Sequence, residues 1–397
     1  MCPSNPRAES QPWEFIFCFL VGMCSFFFWG IKGTVKTKLF FLDCMCIHQT
    51  DIVKKMAGIQ ALGGFVVMSD HLYVMWDSQY FSRLWCVYEL AVYKAIHRGE
   101  HNVSILPLRQ SVAVLILIPA FFVGFLIYTI LFPLVAQWGI ATFYLAAFAA
   151  STLVFTGAAI VGYDFADQLR ILEHQLTTFE VRTAECFAPE DRAEILNKIA
   201  SMFPGDGLDE FNDIVRGDLK DDVMKEVRHT PRTILPYKTL MVGLISAVGF
   251  MFFGIAWFRD SNSETFWSFL IYMVTFCWAM MPVCACLSLN AGESLYKTHP
   301  PPEGEVGLAQ AFSRNKFRYA FIAMKSAGIF ILLWTSLAFV APLAAANSDE
   351  EGFLGIFGKD SAIWISVVTC APCYAVAYWT FKPSSLGQTA RIDMEVV

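Results

Sequence analysis

Seven long apolar runs, at residues 13–31, 112–135, 138–162, 240–258, 266–289, 326–346 and 362–381, constrain this chain more than any other feature. A helix needs about 17–25 such residues to cross the hydrocarbon core of a bilayer. The runs also account for the composition, in which 56% of the 397 residues are hydrophobic and only 16% are charged. Average soluble proteins carry roughly 25% charged residues. The expectation is a mainly α, polytopic helical membrane protein with about seven spans.

The net charge of −6 says less than its distribution. Lys and Arg gather in alternate loops, nine from Lys32 to Arg109 and nine from Arg170 to Arg232. Only Arg7, Arg259 and Lys359 fall on the opposite side, so 26 of the 29 basic residues fit one topology. Basic loops are retained in the cytosol. The N-terminus (residues 1–12) is therefore expected outside, and the C-terminal tail (382–397) inside. Spans pair as hairpins at 112–162, 236–289 and 326–381, with cytosolic segments at 32–111, 163–235 and 290–325. The first run, "FIFCFLVGMCSFFFWG", is long and aromatic for a secretory signal, and no small-x-small cleavage site follows it. It reads as an uncleaved anchor.

The first cytosolic segment alternates strand-like and helix-like patterns. "LFFLD" (39–43), "HLYVMW" (71–76) and "VSILPL" (103–108) read as strands, and 52–68 and 80–97 as helices. Strands alternating with helices imply parallel βαβ units, with reactive groups at the carboxyl ends of the strands. The second segment is polar and helical. Phe165, Leu169, Leu172, Leu176 and Phe179 step by 4, 3, 4 and 3, a short a/d seam. Such a seam can pair with another chain or fold back on its own loop. "APEDRAEILNKIASMF" opens with Pro189 and two acids, which suits a helix start. "FPGDG" breaks that helix before another at 208–227, and "KTHPPPEGE" is a proline-rich linker.

Between Tyr80 and Leu90 the order is Tyr-x-Ser-x-x-Trp-Cys-x-x-Glu-Leu, through Ser82, Trp85, Cys86 and Glu89. This stretch resembles the Toll/interleukin-1-receptor (TIR) domain, especially the plant type, where it opens the third helix. "FFLD" then corresponds to the second strand and "SDHLYVMWDSQYFSRLWCVYEL" to the third strand running into its helix. "FLDCMCIHQTD" upstream of "RLWCVYELA" also resembles a group of protist multi-pass membrane proteins. The TIR portion spans about 75 residues and lacks the family's first strand and helix and its later elements. It implies a partial, flavodoxin-like α/β module.

In TIR domains that cleave NAD+, the glutamate of this helix is catalytic, and Glu89 occupies that position. A carboxylate below the ribose stabilises oxocarbenium charge as nicotinamide leaves. The resemblance thus implies NAD+ as a substrate, with no required cofactor, and Trp85, Ser82 and Asp43 as its contacts. It also implies signalling or scaffolding by protein contact. The expected partners are a lipid bilayer and a second copy of the chain, through the TIR-like module or the 165–179 seam, and not nucleic acid.

Cys44, Cys46 and His48 alternate in "CMCIH" and would share one face of a strand. A structural zinc needs a fourth ligand, so a buried strand end is preferred and no metal is expected. The 12 Cys read mostly as small hydrophobes in spans or as free thiols in a reducing compartment. Cys370-Ala-Pro-Cys373 has the form of a redox motif but sits within an apolar run, where Pro372 reads as a kink. A transporter or channel with regulatory loops is the alternative function. It is disfavoured by the near-absence of ionisable residues inside the runs.

Overall fold

The computed structural model describes residues 41–42, 46–48, 50–97, 102–109, 140–186, 189–205, 207–227, 279–300, 316–329 and 361–382, with residues 267, 270, 271, 274, 275 and 332. The chain divides into two compact units, one built chiefly from 36–112 and 167–228, the other from 113–166 and 229–387.

In the first unit, α1 (Ile52–Val67) starts where Asp51 Oδ1 accepts the amides of Val53 at 3.0 Å and Lys54 at 3.2 Å. That caps donors a helix start otherwise leaves unsatisfied. β1 (Leu72–Trp76) leads through a 3-10 turn (Tyr80–Ser82) into α2 (Leu84–Ile96) and then β2 (Val103–Pro107). The strands pair in parallel, with Leu72 opposite Val103 and Trp76 opposite Pro107. This is the βαβ unit that the alternating pattern predicts. Period-2 alternation gives the sheet two faces. Val74, Trp76, Val103 and Ile105 are buried on one, while Tyr73, Met75 and Leu106 are exposed on the other.

The 163–227 segment packs into the same unit. α3 (Ile140–Thr177) enters it at residue 167, and α4 (Pro189–Met202) opens at the expected proline. The chain then turns through Gly205 (φ 66°) and Gly207 (φ 25°). A Cβ on Gly207 would lie 2.1 Å from the Ala200 carbonyl oxygen, so only glycine fits there. α5 (Leu208–Ile214), a π turn (Val215–Leu219) and α6 (Lys220–Glu226) follow. Leu172, Leu176 and Phe179 of the seam share one core with Val74, Trp76, Phe81, Leu84, Leu90, Ile199 and Phe211. Folding back, one of the two alternatives for the seam, is what buries them.

In the second unit, α3 residues up to 166 pack with α7 (Met281–Thr298). A Cβ on Gly162 would lie 1.9 Å from the Leu289 carbonyl oxygen, and one on Gly292 would lie 1.9 Å from that of Ala159. The two backbones touch, as small residues allow. Tyr163 stacks edge-on against Tyr296 (5.0 Å) and Tyr319 (5.8 Å), and its hydroxyl donates to the His299 carbonyl at 3.0 Å. Residues 316–329 are helical, and α8 (Ser361–Phe381) carries Pro372 inside it.

Two expectations are corrected. Among the described residues no helix is long and apolar enough to cross a membrane, so the architecture of about seven spans does not stand. The described part is instead mostly helical with a small two-stranded parallel sheet. An apolar run reads the same in sequence whether other side chains or acyl chains surround it. The 138–162 run shows this: its helix continues without a break to Thr177, through Asp164, Asp167 and Arg170, and its small residues meet another helix. The runs at 13–31, 112–135 and 240–258 lie outside the described residues. The second correction concerns "FFLD". Its described residues, Phe41 and Leu42, are in no strand, and the Leu42 carbonyl accepts the Cys46 amide at 2.8 Å, while Leu39, Phe40 and Asp43 lie outside the described residues.

Candidate functional site

The start of α2 is built by three sets of hydrogen bonds. Asp77 Oδ1 accepts the Gln79 amide at 3.1 Å and Arg83 Nη2 at 2.9 Å. Ser82 Oγ donates to the Gln79 carbonyl at 2.7 Å, and the buried Tyr80 donates its hydroxyl to the Cys86 carbonyl at 3.2 Å. From the distant 167–228 segment, the Glu185 amide donates to the Ser82 carbonyl at 2.7 Å and the Leu84 amide to the Glu185 carbonyl at 2.8 Å. The parallel bridge between Arg83 and Glu185 thus closes the helix start from outside the βαβ unit.

Glu89 sits half-buried on α2, near enough to Tyr80 for its charge to act on that hydroxyl. Burial pushes the Tyr80 hydroxyl well above its ordinary range, Cys86 and Glu89 push it further, and Arg83 opposes them. Tyr80 therefore stays protonated at all ordinary pH, its proton given to the Cys86 carbonyl. Trp85 is half-buried with its ring edge-on to Tyr88 at 5.9 Å. Trp85 and Glu89, one turn apart on α2 and both half-buried, bring an apolar ring and a carboxylate to one stretch of the helix. Ser82, by contrast, is engaged in the local turn.

The other expected residues are placed differently. Asp43 and Cys44 lie outside the described residues. Cys46 is exposed, and His48 Nδ1 accepts the Asp51 amide at 2.9 Å, a capping contact just before α1. Among the described residues no group of three His, Cys, Asp or Glu side chains is arranged to hold a metal.

Sequence reasoning missed the polar network around residues 179–192, the segment that carries Glu185. Glu180 accepts Asn212 Nδ2 at 3.0 Å, Arg182 Nη1 at 3.2 Å and Arg216 Nη2 at 3.3 Å. The buried Asn212 also accepts the Val181 amide at 2.9 Å, and Arg216 Nε donates to the Phe179 carbonyl at 2.7 Å. Arg182 pairs with Asp209, and Arg192 donates to the carbonyls of Arg182 and Ala184. Burial raises the Glu180 carboxyl, but the hydrogen bonds from Asn212 and Arg182 and the Arg182 charge outweigh it and hold the group below the usual range. A signal existed: Asn212 lies on the stripe of Leu208, Val215, Leu219 and Val223, a polar residue where an apolar one belongs. Lys94 is a similar case, buried on α2 among Leu90, Ala91 and Val87. Burial lowers its pKa, and Asp222 and Asp218 oppose that.

Comparison with known protein families, curated proteins and solved structures finds no match for this chain.

Proposed function

We propose that the unit formed by residues 36–112 and 167–228 is a signalling module that acts by contact with a second copy of itself. The observation that carries this reading is the outer face of the sheet, where Tyr73, Met75 and Leu106 stand exposed side by side. Large exposed apolar groups grouped on one face mark interaction sites rather than scattered surface residues. Beside it His71 packs its ring against Tyr73 at 4.4 Å, tilted by 40°, and is hydrogen-bonded to Ser104 at 2.9 Å. Met75→Glu and Leu106→Glu test it by sedimentation of the purified full-length protein. The wild type should self-associate and both variants should do so less; unchanged association would overturn the assignment of this face.

A second reading is favoured by Glu89 standing half-buried on α2 one turn after the half-buried Trp85. The TIR resemblance makes Glu89 a candidate catalytic carboxylate for NAD+ cleavage, stabilising positive charge on the ribose as nicotinamide departs. Turnover of NAD+ by the full-length protein, compared with Glu89→Ala, tests it. The expected result is turnover that the variant loses. A folded, self-associated wild type without turnover removes the catalytic reading and leaves the contact reading intact. Equal turnover in both proteins removes Glu89.

A further inference from the structure

We propose that two helical faces of the second unit contact the acyl chains of a lipid bilayer, with lysines at their edges meeting anionic headgroups. The first face belongs to α8, which has no charged residue from Ser361 to Phe381. Its packed side is narrow: Cys370 and Ala377 are buried, and Cys373 between them is half-buried. The described side chains around them are exposed and apolar, led by Val368 (67%), Tyr378 (67%) and Trp379 (61%). A water-facing helix of a globular protein carries polar residues on its outer face. This one carries none that is charged.

The second face belongs to residues 316–329. Tyr319, Ala323, Ser326 and Ala327 are buried on one side. On the other, Phe317 (79%), Phe321 (63%) and Met324 are exposed at spacings of 4 and 3, a single stripe.

The lysines decide between occupants. Lys316 Nζ lies 5.4 Å from the Phe317 ring centroid, Lys325 Nζ 5.7 Å from that of Phe321, and Lys382 Nζ 5.7 Å from that of Tyr378. Each ammonium lies over the ring of a neighbouring exposed aromatic, so basic charge and apolar surface are presented together, as on side chains that serve both acyl chains and headgroups. Aromatic rings with basic neighbours are enriched where a membrane meets water. Lysine is depleted at protein–protein interfaces, which argues against a protein partner here. Anionic headgroups supply the complementary charge. Contact of this kind needs a helix face to enter the lipid from one side and does not require a crossing.

The test uses the full-length protein with vesicles of phosphatidylcholine and phosphatidylglycerol, some carrying bromine on the acyl chains. Brominated lipid should quench a component of tryptophan fluorescence that Trp379→Phe lacks. Val368→Glu, a change tolerated on a water-exposed face, should weaken flotation with vesicles by about tenfold, because a charge is costly in lipid. Equal quenching of wild type and W379F, or unchanged flotation of V368E, would overturn the proposal. If W379F fails to fold, as read by circular dichroism, V368E alone decides. A wild type that stays in the aqueous fraction without vesicles bound also overturns it.

Discussion

At the scale of single residues, the tightest constraints fall where no side chain fits. Gly162 and Gly292 let two helices touch, and a Cβ at either would meet a carbonyl oxygen at 1.9 Å. Gly162→Ala and Gly292→Ala should each lower stability by about 1–3 kcal/mol, the usual cost of overpacking, measured by thermal unfolding. Asn212→Ala strips a donor from Glu180 and an acceptor from the Val181 amide. It should cost about 1–3 kcal/mol, read from the denaturant midpoint. Glu180 itself gives a pH dependence. Its folded pKa lies below the unfolded value of roughly 4.3, because hydrogen bonds and Arg182 outweigh its burial. The stability it lends is therefore complete above that value and is lost as pH falls through the folded one. Between about pH 5 and about pH 3 the wild type should lose more stability than Glu180→Gln; parallel losses would remove the network's share.

At the scale of elements, periodicity was a good guide wherever one face is buried. The helix expected over 52–68 is Ile52–Val67, that over 80–97 is Leu84–Ile96 behind a 3-10 turn, and both described strands lie within their expected ranges. The break expected at "FPGDG" is where Gly205 and Gly207 take positive φ. The 208–227 stretch has the expected span but contains a π turn at Val215–Leu219, which periodicity does not announce. "FFLD" shows the limit of the method: a short apolar run is equally compatible with strand, helix or turn, and Phe41 instead stacks on Phe65 of α1 at 4.4 Å. The seam at 165–179 was legible as apolar spacing, yet spacing does not say against what it packs. Leu176→Ala should cost about 2–5 kcal/mol. Because Leu176 shares a core with Val74 and Trp76, hydrogen exchange should show β1 and the helices of 167–227 losing protection together.

At the scale of the whole chain, the two units have separate cores, one containing Leu176 and the other Tyr163 and Tyr296. Distant sites without shared partners combine additively within roughly 0.5 kcal/mol. Leu176→Ala and Gly292→Ala should therefore add, and a larger interaction in a double-mutant cycle would refute the separateness of the two cores. The candidate site divides in the same way. Glu89, Trp85 and Ser82 could be singled out because a motif is a local spacing, carried here by one turn and the helix after it. Glu180, Asn212 and Glu185 were not, because about a hundred residues separate Glu185 from the turn that its backbone closes, and no local pattern records such a pairing.

The sequence by itself indicated the helices Ile52–Val67, Leu84–Ile96 and Pro189–Met202, the two parallel strands and the motif that carries Trp85 and Glu89. Those depend on side-chain period and on contacts a few residues apart, which any stretch of chain carries within itself. Only the tertiary structure decided what the apolar residues face. It turned Leu172, Leu176 and Phe179 inward onto the sheet, brought Gly162 against Leu289, and left Tyr73, Met75, Phe321 and Val368 outward. Burial is a property of the neighbours a residue acquires on folding, and identical apolar spacing serves a core, an interface or a lipid contact equally well.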